Sequence, residues 1–262
     1  MPIAQLSDAR IHYTVDGDEH APPLLLSNSL GTSLEMWRPQ MAALAGRFRV
    51  VRYDSRGHGE SQVTPGPYTI EQLANDALHV LDALSIPRAH FCGLSMGGMV
   101  GMWIGIHAPQ RVDRLVLANT AARIGTAEMW NARIEAVRNG GMQAIASAVL
   151  ARFLTSAMIE APTPMVAEIR KTLEEMSPDG YVASCAAVRD MDQRHLLGRI
   201  HAPTLVIAGL EDLSTPPDEG RYAADHIPRA RFVELQATHL SNVQAAPAFT
   251  QALMQFLTAR TE

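Results

Sequence analysis

Short apolar runs recur along the chain at residues 10–15 (RIHYTV), 23–27 (PLLLS), 48–53 (FRVVRY), 89–92 (AHFC), 114–119 (RLVLAN), 204–209 (TLVIAG) and 231–235 (RFVEL). Several are continuous rather than alternating. Continuous apolar strands need cover on both faces, which helices on either side of a parallel sheet supply. Between the runs the period changes. In TIEQLANDALHVLDALSI, Leu73, Ala77, Val80, Leu81 and Leu84 fall on one helical face, and Thr69 with Gln72 has the spacing of a capping box. SMGGMVGMWIGIHA runs helix-like up to Pro109, and EGRYAADHI and AFTQALMQFLTA follow further on. Strand–helix alternation of this kind predicts an α/β fold with a mostly parallel, doubly wound sheet.

The alternation fails once. From Ala121 to about Arg199 the pattern is helical and offers no strand, after which the sheet resumes. The expected organisation is a core of residues 1–120 and 200–262 with a helical lid of residues 121–199 inserted into it.

Length and composition narrow the class. The 262 residues and 47% hydrophobic content suffice for one large core. A net charge of -5, with no run of like charges, gives no nucleic-acid footprint. No apolar window is long enough to span a bilayer, so neither nucleic acid nor membrane is expected as a partner. MPIAQLSDARIHY lacks a basic segment followed by an apolar one, which argues against a secretion signal. Cys92 and Cys185 are the only cysteines. Two thiols suit a reducing, cytoplasmic setting better than a disulfide framework.

Candidate chemistry begins at HFCGLSMGGMV, where Ser95 stands between Gly93 and Gly97. Alone, such a G-x-S-x-G recurs by chance in roughly one chain in ten to twenty of this length, so its context decides. Here a strand precedes the serine and a helix follows it. On a sharp strand-to-helix turn the glycines allow close packing, and the serine hydroxyl is lifted towards a helix N-terminus. A serine hydroxyl is a weak nucleophile and needs a base and an orienting acid. In this architecture the acid and then the histidine follow the serine along the chain. Of the late histidines, His226 ends a helical pattern, whereas His239 follows the last strand in ATHLSNV. His239 is therefore the expected base. After TLVIAG the loop LEDLSTPPD offers Glu211, Asp212 and Asp218. Asp218 reads as a helix-start acid and Glu211 as a solvated charge, which leaves Asp212 as the expected acid. Donors for an oxyanion are expected from the backbone N–H of Met96, after the serine, and of Leu30, in the loop NSLGTS after PLLLS. No group of residues has metal-ligand spacing, and the chemistry needs neither metal nor cofactor.

GLSMGG, DSRGHGES, GLEDLSTPP and ATHLSNV stand in the order and spacing of the α/β-hydrolase family, which the chain resembles along nearly its whole length. In DSRGHGES the resemblance implies a glycine-rich turn, with Arg56 and His58 structural. Within the family, SNSLGTSLEMW, RVVRYDSRGHGES, ANTAARIGTAEMWNAR and HLSNV resemble bacterial 3-oxoadipate enol-lactonases. Many relatives have His-Gly where this chain has Asn28-Ser29, and Ala118 stands where a cysteine is expected. This likeness implies hydrolysis of a small anionic lactone, 3-oxoadipate enol-lactone, to 3-oxoadipate in aromatic-compound breakdown. The lid should then choose the substrate. MWNARIEAVR sets Trp130 and Arg133 one helical turn apart, with Arg133 able to pair with the carboxylate and Trp130 able to wall the pocket. A general carboxylesterase or a carbon–carbon bond hydrolase with the same triad is the main alternative. A cofactor-free perhydrolase and a non-catalytic binding protein rank below these.

Overall fold

The computed structural model describes residues 2–259. Eight strands form one sheet: β1 Ile3–Gln5, β2 Arg10–Asp16, β3 Pro23–Ser27, β4 Arg49–Tyr53, β5 Ala89–Leu94, β6 Val112–Ala118, β7 Thr204–Gly209 and β8 Arg231–Leu235. Their order across the sheet is β1-β2-β4-β3-β5-β6-β7-β8. β2 runs antiparallel to β1 and to β4, and the other neighbours are parallel. The doubly wound α/β sheet read from the apolar runs is therefore present, with one strand more than expected. β1 has only three residues, too few for a period to register. β5 extends beyond Cys92 because Gly93 and Leu94 go on pairing, with Leu117 and Ala118.

The helices are α1 Arg38–Leu44, α2 Ile70–Ala83, α3 Met96–His107, α4 Ala127–Gly140, α5 Ala146–Phe153, α6 Ser156–Glu160, α7 Pro164–Glu175, α8 Pro178–Asp190, α9 Pro217–His226, α10 Ser241–Gln244 and α11 Ala246–Thr258. α1 and α10, of seven and four residues, fall below the length at which an amphipathic stripe can be recognised. α2 starts where its cap predicts: Thr69 Oγ1 accepts from the Gln72 N–H at 3.0 Å. α3 is apolar nearly all round and packs against β5 and β6. α4 to α8 all lie between β6 and β7, and residues 121–199 contain no strand. Among the described residues no helix is long and apolar enough to cross a membrane. Both cysteines are free and buried, Cys92 on β5 and Cys185 on α8. Burial pushes the Cys92 thiol well above its ordinary range and Cys185 up to about 12.

Arg56 anchors the turn after β4. Its fork donates to Asp76 on α2 from Nε at 2.9 Å and from Nη2 at 2.6 Å. It also donates to Asp8 from Nη1 at 2.7 Å and from Nη2 at 3.1 Å. The Asp76 and Asp8 carboxylates keep the guanidinium charged although its side chain is only 2% exposed. Arg56→Met should leave the buried Asp76 carboxylate without its partner and lower the unfolding free energy by about 3–5 kcal/mol. Urea denaturation at neutral pH measures the loss. Adding Asp76→Asn should restore part of it, whereas a single variant within 1 kcal/mol of the parent, on the scale of an exposed ion pair, would show that the clamp is dispensable.

Candidate active site

The sheet order reverses at β3, whose neighbours are β4 on one side and β5 on the other. In open α/β sheets the crevice outside the strand C-termini at such a reversal is where ligands bind. The register fixes what gathers there. Ser27 pairs with Gly93, Leu94 with Ala118, Ala118 with Ile207, and Gly209 with Leu235. The ends of β3, β5, β6, β7 and β8 are thus level, and each opens into a loop that carries a polar group of the site.

Ser95 sits on the turn from β5 into α3 with φ 57° and ψ −117°, a strained backbone for a residue with a side chain. The turn is held by its N–H, which donates to Ala118 O at 2.9 Å, and by Gly97 N–H, which donates to Asn28 O at 3.0 Å. A methyl group at Gly97 would lie 2.2 Å from Ser27 O, and one at Gly93 would lie 2.1 Å from Gly97 O. The two flanking glycines are therefore required by close packing. The Ser95 hydroxyl has no hydrogen-bond partner among the described residues, and the side chain lines the same cavity as His239. Contacts of this kind often tighten only once substrate is bound.

His239 Nδ1 faces Asp212 Oδ2 at 2.8 Å. The His239 ring stacks on Phe153 of α5 with centroids 5.4 Å apart. Asp212 is 2% exposed. Burial alone would raise its pKa, but His239, Asn119 and Thr215 together hold it below the usual carboxylate value. Its oxygens accept from Ser214 N at 2.7 Å, Thr215 N at 3.0 Å, Thr215 Oγ1 at 2.7 Å and Asn119 Nδ2 at 2.9 Å. The rejected candidates lie elsewhere. Glu211 is exposed, Asp218 is an exposed acid in the first turn of α9, and His226 is exposed at that helix's end.

Asn119 escaped the sequence reading. It leaves β6 with φ 44°, and its amide bridges Asp212 and Thr238 O while its Oδ1 accepts from Ser241 Oγ. No spacing in the sequence joins residue 119 to residue 212. Thr215 was also missed, although a threonine three residues after a loop aspartate is a usable turn signal.

Leu30 and Met96 both line the cavity, and the backbone N–H of neither has an acceptor among the described residues. The neighbouring Gly31 N–H is already engaged, donating to His58 Nε2 at 3.0 Å. His58 Nδ1 lies 3.2 Å from Arg56 O, so the ring donates there and accepts from Gly31. Burial lowers the His58 pKa to about 4, against the pull of Arg56 O and Asp54. Arg56 and His58 thus shape the loop that presents Leu30.

From α4, Trp130 and Arg133 line this cavity. Trp130 Nε1 donates to Ile124 O at 3.0 Å, and the Arg133 guanidinium lies 4.9 Å from the Trp130 ring centre. Tyr181 and Val188 of α8 close the wall of a narrow cavity of about 40 Å³.

The match to known proteins covers the same architecture: the family model of the alpha/beta hydrolase fold aligns with residues 22–246. The chain belongs to the alpha/beta hydrolase family. It is 42% identical over 246 residues to 3-oxoadipate enol-lactonase 2 of Acinetobacter baylyi, covering 94% of this chain and 92% of that one. It superposes with a TM-score of 0.96 on the crystal structure of the enol-lactonase from Burkholderia xenovorans, at 46% identity over 98% of this chain and 100% of that one. A hydrolase structure from Pseudomonas aeruginosa matches with a TM-score of 0.96 at 48% identity over 98% of each chain. As in other alpha/beta hydrolases, the polar groups here sit on loops while the sheet carries only their register.

Two measurements test this site. Asp212→Asn should lower kcat by about 10⁴, the size of the equivalent change in a serine protease, while Glu211→Gln and Asp218→Asn stay near the parent. The acid would be misassigned if either of those gave the large loss instead. The second concerns His58. Between about pH 4 and 6.5 the unfolded chain binds a proton at this residue that the folded chain does not. Stability therefore rises with pH across that window and is level above it, by an amount on the order of 3 kcal/mol. His58→Gln should flatten the rise in urea denaturation followed across these pH values. Equal slopes would mean that the buried ring is not neutral.

Proposed function

We propose that this alpha/beta hydrolase opens 3-oxoadipate enol-lactone to 3-oxoadipate through Ser95, His239 and Asp212. The observation that carries the substrate is Arg133. It is half-buried on the cavity of Ser95 and has no carboxylate within ion-pair distance among the described residues. A cation without a counter-charge at the edge of a mostly apolar cavity suits a substrate that brings its own carboxylate. The enol-lactonase relatives support the same choice.

In the forward step His239 Nε2 takes the Ser95 proton as Ser95 Oγ bonds to the lactone carbonyl carbon. The carbonyl π pair moves onto oxygen, facing the N–H groups of Leu30 and Met96. Collapse of this intermediate expels the ring oxygen as an enol, which takes the proton from His239. The opened chain stays esterified to Ser95. Water, deprotonated by His239, then attacks that ester and releases Ser95. Asp212 keeps the imidazole in the tautomer with hydrogen on Nδ1 and stabilises its charged form. The helices of residues 121–199 act as the lid that chooses the substrate, with Trp130 as a wall and Arg133 as the carboxylate partner. A cytoplasmic setting suits two free, buried thiols.

Turnover of the enol-lactone beside uncharged aryl esters tests this reading, with Ser95→Ala as the control that should abolish turnover and fluorophosphonate labelling together. Hydrolysis of the aryl esters alone would make the protein a general carboxylesterase. Arg133→Met should lower kcat/KM for the enol-lactone roughly ten- to a hundredfold and barely affect the aryl ester, as expected for one charge-assisted hydrogen bond. Equal losses on both substrates would make Arg133 a support of the lid.

A further inference from the structure

Ser29 lies between Asn28 and Leu30, just past the end of β3, and is 1% exposed. Its backbone is pinned. The N–H donates to Met36 Sδ at 3.4 Å, and the carbonyl accepts from Thr32 N at 3.2 Å and Thr32 Oγ1 at 2.8 Å. On its N-terminal side Asn28 donates to Tyr53 O at 2.7 Å and accepts from Trp37 Nε1 at 2.9 Å. The Ser29 hydroxyl, in contrast, is buried with no hydrogen-bond partner among the described residues. Among the described residues that line the cavity with Ser95, Leu30, Met96 and His239, it is the one side-chain polar atom that is fully buried and unpartnered.

A buried hydroxyl without a partner destabilises the fold. Alanine or glycine would fill the same space without that penalty. The backbone N–H groups of Leu30 and Met96, which line the same cavity, have no acceptor among the described residues either. Three donors from residues on one small cavity thus lack an acceptor among the described residues.

We propose that Ser29 Oγ is a third donor to the oxyanion, beside the N–H groups of Leu30 and Met96. The proposal deepens the hydrolase reading above and rests on it. When Ser95 Oγ bonds to the carbonyl carbon and the π pair moves onto oxygen, Ser29 keeps its own proton and donates only a hydrogen bond. The charge it meets is absent from the bound substrate and present in the tetrahedral intermediate, so Ser29 acts on kcat and hardly on KM.

Ser29→Ala separates the possibilities. The expected result is a fall in kcat of roughly ten- to a hundredfold on both the enol-lactone and an uncharged aryl ester, with KM within about twofold of the parent. The inhibition constant of an alkyl boronic acid, which forms an anionic tetrahedral adduct on Ser95, should rise by a similar factor. The melting temperature should not fall, because no partner is left stranded. An unchanged kcat, a raised KM with unchanged kcat, or a melting temperature that falls together with kcat would each overturn the proposal. If Ser95 in the parent protein took no fluorophosphonate and no ester were turned over, the hydrolase reading itself would fail and take this proposal with it. A Ser29→Ala variant that is labelled at Ser95 and keeps the parent kcat would remove the third donor alone.

Discussion

The contact on which the site depends is the seating of the α3 N-terminus against the end of β3. Gly97 N–H donates to Asn28 O, and a methyl group at Gly97 would come within 2.2 Å of Ser27 O. This approach sets Ser95 and the Leu30 loop side by side at the point where the strand order reverses. It also forces Ser95 into its left-handed φ of 57°. The strain persists because β5 pairs on one side with β3 and on the other with β6 up to its last residue, so the turn has no softer place to relax into.

Polar groups around this seat are treated in two opposite ways. Asp212 carries a charge in a buried place and meets donors from Ser214, Thr215, Asn119 and His239. Enough of them gather to overcome the cost of burial and keep the carboxyl ionised. Among the described residues, the Leu30 and Met96 N–H groups and the Ser29 hydroxyl have no acceptor. The satisfied anion holds the His239 ring through Nδ1. The unsatisfied donors are left open to whatever enters the cavity. The contrast is between a carboxylate whose partners are all present in the fold and donors whose acceptor is not.

The inserted helices are tied to both sides. Phe153 at the end of α5 stacks on His239, and its carbonyl accepts from Leu240 N at 3.1 Å and Thr238 Oγ1 at 2.8 Å. Across the cavity, Leu173 of α7 and Tyr181 of α8 close against Gly31. The inserted helices that bring Trp130 and Arg133 to the cavity therefore also brace the loops of His239 and of Leu30.

How much of this the sequence carried follows from the range of each interaction. Apolar runs and helical periods are local, so the sheet, α2, α3, α9 and α11 were legible, while the three residues of β1 and the four of α10 held too little pattern. G-x-S-x-G, the loop after TLVIAG and ATHLSNV are local too, and these motifs with their order along the chain made Ser95, Asp212 and His239 the candidates. Asn119 could not be chosen, because its tie to Asp212 spans 93 residues and exists only once β6 and β7 lie side by side. His58 read as part of a turn and nothing more, since its bond to Gly31 joins two loops that meet only above the sheet. The bareness of the Ser29 hydroxyl and the absence of a counter-charge for Arg133 depend on what fails to arrive beside them in three dimensions. The sequence by itself determined the elements and the kinds of residue at the strand ends. Only the tertiary structure decided which of those groups are satisfied and which are left open, because satisfaction is a property of neighbours and the neighbours are set by packing.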